Sequence, residues 1–374
     1  MRRHSGWAQG PDHLFIDLPG LGGVGQVVQK ALHANAGHHA LYLRPWIGTL
    51  TRGRLTDSQK KILHTIVEES PDGPLETLTL AAETRFDVTI RQTKTVKPGR
   101  KPVDWTPEAL QQTYLALDLL PAAHVERNKE LLNLGAFEQP TVDERTTGGV
   151  FSAGHDELAI NVKAGDIRNT ALHEIGHAVD HEMGWSTGPE PVKPKRGGWK
   201  QYGANHGQCA GEMVDDSNAG IKALPAAQRA DVISEMAKAM ANRSVNGLKP
   251  AIRALAWFTG LGGDQKRAVL KDPALKAIAI GLQTPWFDAA DGGIHLGDHV
   301  YQESYAPDWV RYRHEARTRM VTPYQFRNPG EWFAEAYEKY YTPDSRGRGA
   351  LLGDKDADTK SYFDTDVHTR GPSR

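Results

Sequence analysis

The chain has 374 residues, enough for two or three domains, and its 45 basic and 46 acidic residues nearly cancel. This balance provides no overall field that would attract nucleic acid, and the sequence contains no apolar run of the roughly 18 residues that a membrane span requires. A single cysteine, Cys209, excludes an intrachain disulfide. We expect Cys209 to be an inert buried thiol rather than a latch that blocks a metal.

The N-terminal segment, MRRHSGWAQGPDH, has two arginines but no apolar run behind them, so we expect no secretory signal. The expected localisation is therefore the cytoplasm of the producing cell. Action on a target cell would require a dedicated bacterial secretion or injection machine as a partner.

Residues 1–98 are predicted to form a small mixed α/β domain of unassigned role. Gly20, Gly22 and Gly25 satisfy the G-x-G-x-x-G pattern between an apolar run and a helix-like segment. No acidic residue ends the next strand and no further βαβ unit follows. We therefore favour a plain Gly-rich turn over a nucleotide site.

Later in this domain, residues 57–70 are predicted to be helical and residues 75–92 to form strands. The segment 93–107 is rich in Pro and Lys and predicts a linker to a second domain over residues 102–345. Thr106 and Pro107 are typical of the cap and first turn of a helix.

A β-hairpin is predicted over residues 148–162, turning at Gly154, because apolar and polar residues alternate in its second arm. The strand that comes just before the next helix is predicted to be the sheet edge along which an extended peptide lies.

The next segment, 169–184, has apolar residues at helical spacing, namely Leu172, Ile175, Val179 and Met183. It contains the motif H-E-x-x-H. Because His173 and His177 are four residues apart, both imidazoles project from the same side of a helix. Two neutral imidazoles in this arrangement can bind one zinc ion, and Glu174 lies beside them to accept a proton from water.

Residues 183–320 are predicted to be a long helical insertion that separates this motif from a second one at 321–341. In the second motif, Asn328-Pro329-Gly330 predicts a turn leading into a helix that carries Glu331 and Glu335 on one face. One carboxylate can be the third metal ligand while the other holds a ligand imidazole by its far nitrogen. The spacing alone leaves open which glutamate is the direct ligand.

Together the two motifs resemble the catalytic domain of anthrax lethal factor and its relatives. This family includes toxin-like zinc metalloproteases and the Pro-Pro endopeptidases. The matching residues are Leu172 to Asp180, then Tyr324, Glu331, Phe333, Ala334, Glu335, Ala336 and Tyr337. The tract YQFRNPGEWFAEAY is also similar to that of effector proteases found with bacterial injection systems.

The resemblance implies an α+β, zincin-like metalloprotease domain of the gluzincin type, with Zn2+ on His173, His177 and Glu331. It implies Glu174 as general base, Glu335 as the group that orients His173, and Tyr324 as a hydrogen-bond donor to the oxyanion. The insertion between the motifs is longer than in compact family members, so the peptide-substrate preference does not carry over.

Other polar residues near the motifs are predicted to have supporting roles. Asp180 and His181 are expected to support a ligand histidine or to lie on the surface, and residues 346–374 are expected to form a loosely ordered tail. The remaining histidines, among them His299, are expected on loops or the surface. The alternative to a toxin- or effector-type endopeptidase is a non-catalytic zincin-fold binding module whose N-terminal domain performs recognition.

Overall fold

A computed structural model describes residues 44–68, 74–94, 99–126, 128–139, 148–283, 295–304 and 308–370. The chain divides into two compact units. The first unit comprises Met1–Met183, Tyr341–Pro343 and Thr365–Arg374, and the second comprises Gly184–Tyr340 and Asp344–Asp364. The mixed α and β content is compatible with the predicted α+β class. The G-x-G-x-x-G segment lies outside the described residues.

The first unit contains a five-stranded sheet. Its strands are β1 (Thr89–Gln92), β2 (Lys101–Pro102), β3 (Asn133–Glu138), β4 (Gly149–Ser152) and β5 (Glu157–Asn161). Strand β3 pairs in parallel with β1 and β5, β4 pairs antiparallel with β5, and β2 pairs antiparallel with the end of β3.

The sheet edge differs from the prediction. Strands β4 and β5 form the predicted hairpin, but β5, which directly precedes the next helix, is an inner strand that is buried at every residue. The parallel pairing of β5 with β3 causes this arrangement, because it leaves β4 on the outside. Among the described strands, β4 is therefore an edge strand, as are β1 and β2, which each pair only with β3.

Within the described part of the first unit, residues 44–47 are helical and five further helices follow. They are α1 (Asp57–Glu68), α2 (Leu75–Phe86), α3 (Pro107–Asp118), α4 (Ala122–Val125) and α5 (Ile167–Met183). The predicted cap of α3 is confirmed, since the Thr106 hydroxyl accepts a hydrogen bond from the backbone N–H of Ala109 at 3.1 Å.

The prediction of strands over residues 75–92 is wrong for most of that range, because α2 occupies residues 75–86. The alternating run Thr77-Leu78-Thr79-Leu80 favoured a strand and obscured a helical pattern. Leu78, Ala82 and Phe86 recur every four residues and are all buried, which gives one packed face on a helix. Only residues 89–92 form a strand.

The sheet also continues across the predicted domain boundary at residues 98–102. Strand β1 pairs with β3, and part of the predicted linker forms β2. Trp105 is buried, and its indole N–H donates to the carbonyl oxygen of Arg91 at 3.0 Å. The described residues on both sides of the predicted boundary therefore share one sheet.

The second unit contains helices and a second sheet, so the prediction of a helical insertion over 183–320 is wrong in part. Its antiparallel sheet has the strand order β6 (Lys200–Gly203), β9 (Trp309–Arg313), β8 (His299–Glu303), β7 (His295–Leu296). The segments WVRYR and HVYQE contain the aromatic and β-branched residues that favour strands. The helices of this region are α6 (His206–Ser217), α7 (Ala226–Ala241), α8 (Leu248–Ala254), α9 (Gly263–Leu270) and α10 (Pro273–Gln283).

The C-terminal part of the chain is packed rather than loosely held, as far as it is described. After α11 (Pro329–Tyr341), residues 350–353 and 357–362 form the short helices α12 and α13. Phe363 is fully buried, and its ring centroid lies 5.2 Å from that of Phe333 and 5.3 Å from that of Tyr340 on α11. The high charge of this segment obscured the aromatic residues that anchor it.

No helix within the described ranges combines the length and the apolar character that crossing a bilayer requires.

Candidate metal centre

Helix α5 carries the H-E-x-x-H motif in the first unit. Its predicted apolar stripe is confirmed for Leu172, Ile175 and Val179, which are at most 2% exposed, whereas Met183 is half-buried. The helix packs against α3, β4 and β5. His173 and His177 are only half-buried, so burial of the stripe fixes the helix while both imidazoles stay at the margin of the core.

The two imidazoles converge on each other. The Nε2 atoms of His173 and His177 are 3.2 Å apart, and their ring planes are inclined by 81°. Two nitrogens bound at about 2.0–2.1 Å to a tetrahedral zinc ion lie about 3.3 Å from each other. The separation of the nitrogens therefore fits two ligand positions of a single zinc ion.

Glu174 is held against the edge strand β4 of the sheet. Glu174 is buried, with 9% of the residue exposed, and its Oε2 atom accepts a hydrogen bond from the backbone N–H of Phe151 on β4 at 2.8 Å. Gly149 on the same strand allows this close approach. A Cβ atom added at Gly149 would lie 2.6 Å from Cγ of Glu174 and 2.9 Å from Cγ2 of Thr170.

Asp180 and His181 follow on the same helix. Asp180 is buried at 7% exposure. His181 is more exposed, and its Nδ1 atom lies 3.2 Å from a carboxylate oxygen of Glu130. Its ring centroid is also 5.8 Å from that of Phe151. His181 therefore lies on the partly exposed side of the helix, as the sequence predicted, while the supporting role of Asp180 stays a prediction.

The second motif forms the predicted turn and helix in the second unit. The Asn328 side-chain oxygen accepts a hydrogen bond from the backbone N–H of Glu331 at 2.9 Å, which caps the start of α11. Glu331 and Glu335 are both buried at 7% exposure. Oε2 of Glu335 accepts a hydrogen bond from the Thr322 hydroxyl at 2.6 Å, which restricts the orientation of this carboxylate.

Tyr324 lies on a short 3₁₀ helix, Pro323–Arg327, just before α11. It is half-buried, and its hydroxyl oxygen accepts a hydrogen bond from the Arg327 guanidinium at 2.7 Å. The same guanidinium lies 5.3 Å from the centroid of the Tyr324 ring. A cation beside the phenol favours a role in stabilising negative charge, and the predicted oxyanion role stays a prediction.

His299, which the sequence suggested as a loop or surface residue, lies on β8 in the second unit and has a carboxylate partner. Asp216 accepts hydrogen bonds from the Tyr301 hydroxyl at 2.6 Å and pairs with Nδ1 of His299 at 2.9 Å. Cys209 is fully buried, and burial raises the pKa of its thiol well above the ordinary value. This environment agrees with the inert thiol expected from the sequence.

The supporting contacts were not predicted, although two left signals in the sequence. Two consecutive glycines at 148–149 precede a strand-like run, which is typical of a close approach by another element. Thr322 and Gln325 have the spacing of a capping box, and the Gln325 side chain does accept from the backbone N–H of Thr322 at 3.3 Å. No feature of the sequence indicated the hydrogen bond from the backbone N–H of Phe151 to the Glu174 carboxylate.

Comparisons with protein-family models, curated proteins and solved structures gave no match. The likeness to lethal factor therefore rests on the two motifs.

Proposed function

We propose that the chain is a zinc-dependent endopeptidase that hydrolyses peptide bonds in a protein substrate. The observation that carries this proposal is the arrangement on α5. Two imidazole nitrogens converge at 3.2 Å, and the carboxylate between them in the sequence is anchored to an edge strand. Binding alone has no need for that carboxylate, whereas hydrolysis needs a proton acceptor.

The proposed ligands are His173, His177 and Glu331, as the resemblance of the two motifs implies. This set includes both converging imidazoles of α5. It also leaves Glu335, whose carboxylate is restrained by a threonine hydroxyl, to orient a ligand histidine. Two histidines and one carboxylate are typical of a catalytic zinc site with an open position.

When bound, zinc would supply a Lewis acid and lower the pKa of water from about 16 to near 7. Glu174 accepts the proton of the attacking water and delivers it to the leaving amine. The backbone N–H of Phe151 holds the carboxylate in place for this transfer. The hydroxyl of Tyr324 donates a hydrogen bond to the carbonyl oxygen as negative charge develops there.

A peptide is the substrate class that the edge strand favours. Strand β4 pairs with β5 on one side, and the Glu174 carboxylate contacts the backbone of β4 itself. An extended peptide added along this strand would form main-chain hydrogen bonds and bring its carbonyl groups past Glu174. The toxin or effector class, with delivery by a bacterial secretion or injection machine, is part of the proposal and is supported by motif resemblance.

The test compares the zinc-loaded protein with its Glu174→Gln variant. We expect about one zinc per chain in both proteins by metal analysis, because Glu174 is not a ligand. We expect new N-termini in a proteome digest only with the unsubstituted protein. Equal sets of N-termini from both proteins would contradict the proposal and favour the non-catalytic binding module. Loss of zinc in the variant would contradict the role given to Glu174.

A further inference from the structure

The second unit contains a pocket of about 450 Å³. We call it the cationic pocket because Lys200, Arg311 and Arg313 line it together with His299, and no described residue that lines it is acidic. Pockets of a few hundred Å³ are large enough to enclose a ligand group. This volume therefore accommodates an amino-acid side chain.

Acidic residues on α6 hold the cations from outside the pocket lining. Glu212 pairs with Lys200, and it also accepts from the Arg311 guanidinium at 2.8 Å. Asp216 pairs with His299 and lies 3.8 Å from Arg311. These contacts restrain the side chains before a ligand arrives, so less conformational entropy is lost on binding.

The carboxylates near the pocket match its cations in number, but they differ in how strongly they engage them. Lys200 and Arg311 share the carboxylate of Glu212. Arg313 has more exposed partners. The Glu315 side chain is 54% exposed at 3.3 Å, and the Asp298 side chain is 79% exposed at 4.0 Å. Exposed pairs of this kind are weak because water and salt screen them, so the wall can gain a further anionic partner.

The rest of the lining is largely apolar and includes Pro191, Val192, Pro194 and Trp199. Val192 is 59% exposed, which is high for a large apolar residue. Apolar walls beside fixed cations suit a ligand that has a short hydrocarbon stem ending in an anion. The side chain of glutamate or aspartate has this chemistry.

The pocket also reaches the start of α11. Pro329 lines it and is the first residue of that helix, two residues before Glu331. Two residues span at most about 7 Å between Cα atoms, which is the length of about two residues of an extended peptide. In a bound extended peptide, the residue whose side chain enters the pocket would thus be only a few positions away from the residue whose backbone lies beside Glu331.

We propose that the cationic pocket binds the carboxylate side chain of an acidic residue in the peptide substrate, within a few residues of the cleaved bond. This inference rests on the proposed function and adds a substrate preference to it. Direct hydrogen bonds from charged donors to a carboxylate are shorter and stronger than neutral ones. We therefore expect a Glu-containing peptide to bind about tenfold tighter than its Gln counterpart.

Binding is measured first, without cleavage, in the Glu174→Gln background. The probes are fluorescein-labelled peptides with four Gly-Glu repeats or four Gly-Gln repeats. Their binding is measured by fluorescence anisotropy. The pocket variant carries Lys200→Gln and Arg313→Gln, whose side chains are 34% and 30% exposed. The matched control carries Lys238→Gln and Arg267→Gln, which remove the same charges at sites that are 63% and 68% exposed and outside the pocket.

We expect the ratio of the two dissociation constants to be about ten in the parent and the control, and near one in the pocket variant. A ratio near one in the parent, or an equal fall in the control, would overturn the pocket assignment. The urea midpoint of each variant shows whether its fold is destabilised. If the double variant is destabilised, the single variants Lys200→Gln and Arg313→Gln are used in its place.

Cleavage is measured separately with the active protein on a peptide library that carries Glu or Gln at each position. Cleavage that ignores this difference at every position would overturn the pocket proposal and leave the peptidase proposal intact. A protein that binds the Glu peptide selectively and cleaves no member of the library would refute the peptidase proposal, and with it the claim that the bound peptide is a substrate. The two failures are therefore distinguishable.

Discussion

Replacing Gly149 by alanine tests the contact between the edge strand and the H-E-x-x-H helix. The added Cβ atom would lie 2.6 Å from Cγ of Glu174 and 2.9 Å from Cγ2 of Thr170. Carbon atoms in good contact are about 3.5–4.0 Å apart, so the methyl group overlaps both side chains by roughly 1 Å. Neither contact is with the free end of a long flexible side chain, and the carboxylate of Glu174 must move.

The magnitude follows from two effects. Overpacking of this kind costs about 1–3 kcal/mol. A displaced carboxylate also loses the 2.8 Å hydrogen bond from Phe151, which is a hydrogen bond to a charged group and contributes about 1.5–3 kcal/mol. Because relaxation recovers part of each, we expect the free energy of unfolding to fall by about 2–4 kcal/mol. General-base catalysis contributes about 10²–10⁴ in rate, so we expect kcat to fall at least tenfold.

The assay is urea unfolding followed by circular dichroism, together with kcat and KM on one cleaved peptide. The matched control is Gly154→Ala at the turn of the same hairpin, where an added Cβ meets no atom within 4 Å. We expect the control to match the parent in kcat. A Gly149→Ala protein with unchanged stability and kcat would refute the packing argument. Lower stability with unchanged kcat would show that the position of Glu174 does not depend on β4.

Three further outcomes are expected. Treatment with a chelator abolishes cleavage and added zinc restores it, as followed by peptide hydrolysis. Thr322→Val removes the hydroxyl that donates to Glu335, so zinc affinity falls about 10- to 100-fold in a competition titration, whereas Thr318→Val does not change it. Burial lowers the pKa of His124 from 6.5 to about 4. The unfolded chain therefore binds a proton that the folded chain does not, and stability falls by about 3 kcal/mol as the pH drops from 6.5 to 4. His124→Gln removes most of this fall in urea unfolding of the metal-free protein.

The parts of the fold that were predictable are those whose signal is local. The helix around His173 follows from four apolar residues at helical spacing, and the start of α3 follows from a threonine cap before a proline. The turn at Asn328 follows from its side chain and the proline behind it. In each case the residues that cause the structure lie within one or two turns of it.

The failures have a physical reason in common. Residues 75–86 alternate like a strand at their start, yet their burial in the first unit selects the helical face of Leu78, Ala82 and Phe86. The strand at 309–313 contains favourable residues, but its place in a sheet depends on pairing with residues 299–303 and with residues 200–203. Tertiary contacts of this kind override local preference.

The cationic pocket could not be predicted from the net charge of the chain, for a related reason. The formal net charge of −1 excludes a strong overall field, but it says nothing about how charges are distributed in space. Folding brings Lys200 and Arg311 to the pocket wall, with Glu212 on the helix that holds them. A preference for acidic peptides would then arise at contact distance and not from long-range attraction. Because the net charge is only −1, raising the salt from low values to 0.15 M should change the association rate of an acidic peptide little. The preference for Glu over Gln at equilibrium should persist.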